Sequence, residues 1–531
     1  MNPKGKPEGL RQAMSWFHTW AGLLLGWVMF AIFLTGSLSY YRQELTLWLR
    51  PELQTLAPPA PGVERIALER LQTLAPEAGF WSLRLPDERD PALRIGWREA
   101  GGAGGRPRAE SRVLDPASGE PLPVRAGMAG DFPYRFHFEL RSAQRSQWIL
   151  EGRWAVCIAT AVMFAALLSG IVTHRRIFAD FFTFRPVKGG QRAWLDGHNV
   201  SAVLVLPFYL LITFSGLLLF QTIFMPAGIA AAYGELSRAY LDELRGASPG
   251  VKRHGAPDAA TGRGPMPALA WDTMLAESRR QLPDGRIDVI LVRRDGPAVH
   301  VEVRGSDAKR LAYPPVELAF DGRSGRLLGR VDPQGAAART VGTIYGLHLA
   351  HFASPGLRFV LFGFGLLGSL MIASGLALWV VKRRERGKTP ALALHLVDGL
   401  NIGTLAGLPW ALAVFALGSL WLPAGLAERG EAEIRCFFAA WGLALVWGLA
   451  RPGRATWRRQ WCCVAVACAA LLASGLWVAA TNGAAPRPLA VWAVDAAWLI
   501  AALAAAALAW RLRASASSRP ARPVLRAGEV A

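Results

Sequence analysis

The sequence predicts an α-helical polytopic membrane protein with about eight spans, two small α+β modules inserted on one side, and an internal parallel repeat. Three observations predict it: long windows lack Asp, Glu, Lys and Arg, basic residues gather at alternate window ends, and patterns in the first two spans recur in the next two. The 531 residues are 52% apolar, with mean hydropathy +0.24 and formal charge +20. That balance excludes a disordered polyelectrolyte. Only the distribution of charge separates a membrane protein from a nucleic-acid binder.

A helix needs roughly 20 apolar residues to cross a ~30 Å hydrocarbon core. Windows 13–41, 154–173, 197–234, 359–381, 399–427, 461–480 and 496–510 contain no charged residue. The shorter 436–450 completes the eight, because Arg435 and Arg451 can snorkel to the interfaces. The expected order is span 1 at 13–41, an insertion at 42–150, span 2 at 154–173, a basic loop at 174–197 and span 3 at 198–224. A second insertion at 225–340, an approach and span 4 at 341–381, span 5 at 396–424, spans 6 to 8 within 434–511 and a tail at 512–531 follow. The first apolar run exceeds a signal-peptide core of about 7 to 15 residues, so it reads as an uncleaved helix.

Five flanks, 1–12, 174–197, 382–395, 451–460 and 511–531, carry 22 basic residues against five acidic ones. The positive-inside rule then makes both termini cytoplasmic and both insertions exterior. Charge spread over short flanks forms no nucleic-acid face. Cys157, Cys436, Cys462, Cys463 and Cys468 lie in or beside spans without any CxxC or CxxCH, which leaves disulfides, zinc ribbons and covalent c-type haem unsupported.

The repeat is read from matched features. His18 precedes Gly36 by 18 residues, and His198 precedes Gly216 by 18. Ser169-Gly170 and Ser374-Gly375 end the even spans, and Asp115 to Gly119 and Asp321 to Gly325 read as hairpin turns. Each insertion also opens with a helical stretch, 64–74 and 270–282. Both odd spans run outward, so the copies are parallel and equivalent residues face each other across an axis along the membrane normal.

Six of nine histidines sit near span ends. Ionisable groups there are costly and are functional candidates by default. Repeat symmetry sets His18 opposite His198 at one depth and His137 opposite His348 at the other, a pattern suited to bis-histidine ligation of two b-type haems. Eighteen residues make five helical turns, so Gly36 shares a face with His18, and Gly22 and Gly26 on that broad face would admit a porphyrin. His174 is an alternative cytoplasmic-side ligand or a propionate partner beside Arg175 and Arg176. His351 is a propionate, substrate or solvent contact, His395 is assigned to the interface, and His254 and His300 carry no signal.

Six phrases carry a family resemblance: Phe17 to Leu23 around His18, Gly170 to Phe178 around His174, Asp180-Phe-Phe-Thr-Phe-Arg-Pro186, Trp194 to Asn199 around His198, Leu347 to Phe352, and Leu400 to Thr404. Together they resemble the PepSY-associated transmembrane family, in particular its ferric-siderophore reductases of the FoxB type and other iron-regulated inner-membrane proteins. The resemblance covers about residues 10–425. It implies PepSY-like exterior modules, a bacterial inner-membrane location, and a di-haem core ligated from among His18, His137, His174, His198 and His348.

The expected activity is electron transfer through two b-type haems to a periplasmic ferric chelate, such as a siderophore, with release of Fe(II). Two of His18, His174 and His198 would hold the cytoplasmic-side haem, and His137 with His348 the exterior one. No residue is assigned a separate catalytic role, and no metal is expected apart from haem iron. The cytoplasmic loops are too short for a flavin or nicotinamide domain, so the electron donor is a quinol or a separate soluble reductase. The alternatives are a non-redox PepSY protein that binds peptides or restrains a protease, and a transporter. Membrane lipid is the other expected partner, and nucleic acid is not one.

Overall fold

A computed structural model describes residues 9–99, 109–140, 151–174, 190–234, 238–245, 265–332, 335–481 and 487–513. Arg175, Arg176, the phrase at 180–186 and His254 lie outside the described residues.

Along the chain, α1 (Leu10–Ser39) leads into the short α2 (Arg42–Leu49). The first insertion supplies α3 (Val63–Leu74), strands β1 (Phe80–Arg84), β2 (Leu93–Arg98), β3 (Ala109–Leu114) and β4 (Pro121–Leu122), and then α4 (Asp131–Glu139) before α5 (Gly152–Thr173). Helices α6 (Gly190–Leu204) and α7 (Leu206–Leu219) precede the second insertion. That insertion holds α8 (Trp271–Gln281), β5 (Ile287–Asp295), β6 (Ala298–Gly305), β7 (Glu317–Asp321) and β8 (Leu327–Val331), followed by α9 (Ala336–Leu349) and α10 (Pro355–Arg386). The chain continues as α11 (Ala391–Asn401), a π-helical stretch Ile402–Ala406, α12 (Gly407–Trp421), α13 (Arg429–Ala450), α14 (Arg454–Thr481) and α15 (Leu489–Arg511).

Among the described residues, seven helical units are long and apolar enough to cross a membrane: α1, α5, α10, the unit Ala391–Trp421, α13, α14 and α15. The pair α6 and α7, bent by 69°, makes an eighth if it crosses as one broken span. The sequence suggested one continuous third span. Pro207 in the first turn of α7 has no N–H to offer the carbonyl of Val203, and Val205 leaves helical geometry at φ −123° and ψ 19°, which bends the chain there. The buried Tyr209 hydroxyl crosses the break and donates to the Ser201 carbonyl at 3.1 Å. The protein is thus a multi-pass membrane protein. In the unit Ala391–Trp421, Gly399 and Gly403 let α13 approach closely, since a Cβ there would meet Leu449 Cα at 2.9 Å and Leu445 Cα at 2.6 Å.

The two insertions do not stand apart. Their strands form one antiparallel sheet in the order β4-β3-β2-β1-β5-β6-β7-β8, joined where β1 pairs with β5, Trp81 opposite Val292 and Leu83 opposite Ile290. Pairing removes two open edges. It also unites the apolar faces: those four residues pack with Leu68 and Leu71 of α3 and Met274 and Leu275 of α8 in one core. The turns after β3 and β7 are built alike. Asp115 accepts from Ala117 and Ser118, Asp321 accepts from Ser324, and Gly119 and Gly325 supply φ of 73° and 72°. The Ser324 backbone hydrogen bond holds the Asp321 carboxyl below its usual range.

The β6–β7 connection rests on α9. A Cβ on Gly342 would lie 2.6 Å from the Tyr313 carbonyl oxygen, and Tyr313 stacks on Tyr345 at 4.7 Å. Burial opposes the Asp307 charge, yet the His351 imidazole, 2.6 Å away, holds its carboxyl below the usual range.

Candidate functional site

Four of the five sequence-selected histidines form two facing pairs. At the end of the bundle away from the sheet, the His18 and His198 ring centres are 6.2 Å apart with planes at 74°. At the sheet end, the His137 and His348 ring centres are also 6.2 Å apart, with planes at 35°.

All four rings are held by one local device. His18 Nδ1 lies 2.9 Å from the Ala166 carbonyl oxygen, and its Cε1 would be 3.3 Å from a Cβ on Gly170, four residues further along α5. His198 repeats this on α10, with Nδ1 2.8 Å from the Met371 oxygen and Cε1 3.1 Å from a Cβ on Gly375. His137 repeats it on α1, with Nδ1 2.8 Å from the Ile32 oxygen and the ring 2.6 Å from a Cβ on Gly36. On α7, His348 Nδ1 lies 2.8 Å from Ser215 Oγ and also engages the Ile212 backbone, with Cε1 3.5 Å from a Cβ on Gly216. Each ring therefore lies on a glycine and reaches back along that helix, toward a residue four positions earlier.

The device fixes the chemistry of the ring. A carbonyl oxygen only accepts, so the Nδ1 atoms of His18, His137 and His198 carry the proton and donate, which leaves Nε2 with its lone pair. Orienting a ligating imidazole through its other nitrogen is the usual way a protein aims it at a metal. Among the described residues, no protein group hydrogen-bonds any of the four Nε2 atoms.

The spacing suits an iron between the rings. A ligating imidazole nitrogen lies about 2 Å from the metal and about 1.1 Å from its own ring centre, so two axial imidazoles hold their centres roughly 6.2 Å apart. Both pairs meet that value. The two levels are 14 to 18 residues apart along α1, about 21 to 27 Å at 1.5 Å per residue, which spans most of a hydrocarbon core.

His174 is placed differently. It caps α5 and lies close enough to His198 to act on it electrostatically, but the ring facing His198 is that of His18. His351 pairs with Asp307, and His395 Nε2 lies 2.7 Å from the Leu449 carbonyl oxygen. His300 sits on β6 opposite Arg293.

Gly36, on the face of α1 that carries His18, seats His137, which α4 brings to it, and one sequence expectation about the glycines changes. Gly26 is a helix contact, where a Cβ would meet Leu376 Cδ2 at 2.8 Å, and does not open toward a porphyrin. Sequence reasoning missed the carbonyl partners altogether. The signal for the seats was present: Thr35-Gly36, Ser169-Gly170, Ser215-Gly216 and Ser374-Gly375 each set a hydroxyl residue before the glycine.

The sequence profile of the PepSY-associated TM region matches residues 15–382, a stretch that contains all five histidines and ends within α10. An uncharacterized protein of Pseudomonas aeruginosa is 26% identical over 334 residues, covering 57% of this chain and 76% of that protein. With the profile matching well over half of its length, the chain belongs to the PepSY-associated transmembrane family.

Proposed function

We propose that this protein is a transmembrane electron conduit holding two b-type haems, one between His18 and His198 and one between His137 and His348, and that it reduces a ferric chelate such as a siderophore outside the cytoplasmic membrane. The observation that carries the reading is the fourfold seat, with Nδ1 tied back and the two rings of each pair 6.2 Å apart. Bound there, the haems supply one-electron transfer, and reduction to Fe(II) weakens the hold of hard oxygen chelators on the metal. The chain's part is to fix each imidazole tautomer, to set ring height with a glycine, and to keep water out with the packed helices.

In this reading the two helix-plus-four-strand insertions are PepSY-like modules, and the paired seats express an internal parallel repeat. The basic flanks orient the protein with its sheet in the periplasm of a bacterial inner membrane and both termini inside. Electrons enter from a quinol or a soluble reductase on the cytoplasmic side.

The test is direct. Purified protein should give a b-type reduced-minus-oxidised spectrum with two haems per chain by pyridine haemochrome. A colourless preparation from haem-replete cells would sink the proposal.

A further inference from the structure

We infer that the C-terminal helices position the sheet-side pair: α12 and α13 clamp α4 and thereby aim His137. The inference rests on the di-haem reading above, and it gives the spans beyond the matched family region a role in the site.

Helix α4 has nine residues, too few to hold its own orientation in isolation. Its direction must come from what it packs against. One side meets α1 through the His137 hydrogen bond to the Ile32 carbonyl, and its first turn is tied to α2 by Arg42 and Asp131 at 2.6 Å. The other side is buried in the C-terminal helices. Phe132 stacks on Phe415 of α12 at 4.4 Å and meets Phe437 of α13 edge-on at 4.8 Å, while Phe136 meets Phe437 at 5.1 Å and Trp441 at 6.0 Å. Phe132 and Phe136 are four residues apart and share one helix face. His137 follows directly, so the face that fixes Phe136 sets the angle of the imidazole.

The segment entering α4 is held by a second contact. Arg429 and Glu433 form an ion pair, 1% and 0% exposed, on the first turns of α13. Glu433 Oε2 accepts the Met128 N–H at 2.7 Å, and Arg429 donates to the Ala126 carbonyl at 2.7 Å and to the Ser419 carbonyl at 2.6 Å. Gly127 lies between the two bonded residues at φ 151°, where a side chain would collide with both charged groups. A buried ion pair is tolerable only when its remaining donors and acceptors are met. Here the incoming segment meets several of them, so pair and segment hold each other in place.

Axial ligation tolerates only about 0.5 Å of misplacement, which makes such remote support consequential. The ring angles provide a readout for each site. Near-parallel imidazoles split the iron dπ orbitals and near-perpendicular ones leave them nearly degenerate, so the 35° and 74° pairs should give separate low-spin EPR signals.

The experiment compares full-length Glu433→Ala, Glu433→Gln and Phe437→Leu with the wild type, by haem stoichiometry, EPR and potentiometric titration. Glu433→Ala and Phe437→Leu should lower sheet-side haem occupancy tenfold or more, or shift its signal and potential, with the other signal unchanged. Glu433→Gln keeps an acceptor for Met128 and should restore most of it. An unchanged sheet-side signal in Phe437→Leu, which keeps apolar volume and folds even where Glu433→Ala does not, overturns the inference. A wild type with no haem overturns the functional reading, and this inference with it; two intact signals in every variant overturn this inference alone.

Discussion

Replacing Gly36 with Ala tests the seat at its tightest point. The added Cβ would stand 2.6 Å from both Cε1 and Nδ1 of His137, against an ordinary contact of about 3.5 to 4.0 Å, so the ring must retreat by about 1 Å. That movement stretches the 2.8 Å bond to the Ile32 carbonyl past a useful length. Overpacking costs about 1–3 kcal/mol and an orphaned buried donor about 1–3 kcal/mol, while better helix propensity returns up to about 1 kcal/mol. A net loss of about 3 kcal/mol is roughly 100-fold in affinity at the sheet-side pair. Gly216→Ala is the matched control, because its Cβ would lie 3.5 Å from His348 Cε1, an ordinary contact. Haemochrome stoichiometry and EPR should show Gly36→Ala falling toward one haem per chain and Gly216→Ala retaining two. Equal retention in both variants, or equal loss, would refute the seat geometry.

Other outcomes follow from the same contacts. His18→Ala and His198→Ala should each abolish the signal of the 74° pair and spare the 35° pair, whereas His174→Ala should keep both haems; loss of a haem in His174→Ala would reassign the ligand. Glu44→Gln should lower the thermal unfolding midpoint in detergent sharply, by about 3–5 kcal/mol of stability, because it strips the counter-charge from Arg358 at 3.1 Å and Arg89 at 2.7 Å; an unchanged midpoint counts against that triad. Asp307→Asn should destabilise by up to about 1 kcal/mol at neutral pH. The Asp307 carboxyl is held below its usual value, so its contribution is complete above about pH 4 and fades as pH falls through the lower folded value; a wild-type advantage that persists in strong acid argues against it.

The parts of this protein that depend on composition or local pattern were legible in the sequence. Apolar windows gave the span count because a bilayer imposes a length. The turns at Asp115 and Asp321 were legible because they are local chemistry. The broken third span was obscured because its apolar run is unbroken, although Pro207 marks the place. Joining of the two insertions through β1 and β5 was not legible, since edge pairing depends on where the spans deliver each insertion. For the histidines, symmetry chose the four that pair. Which of His18 and His174 faces His198 needed the fold, as did the contact of Gly36 with His137, because each depends on which helices neighbour one another.

An interfacial histidine and an axial ligand ask different things of a fold. A ring that serves headgroups needs a polar boundary, works in either tautomer and gains nothing from a second imidazole opposite it. The rings here have one nitrogen committed to helix backbone or to a hydroxyl that itself bonds backbone, a glycine beneath each, and a partner ring at a distance that suits a shared metal. Helix α1 shows how the parts depend on each other: it presents His18 at one end and supplies the Ile32 and Gly36 seat for His137 at the other. The segment α6–α7 does the same with His198 and the Ser215–Gly216 seat, in spite of its bend. A shift of either element therefore disturbs both levels at once. Four independent surface histidines would not need such coupling; under the proposed function it would keep two ligand pairs in register across one bilayer.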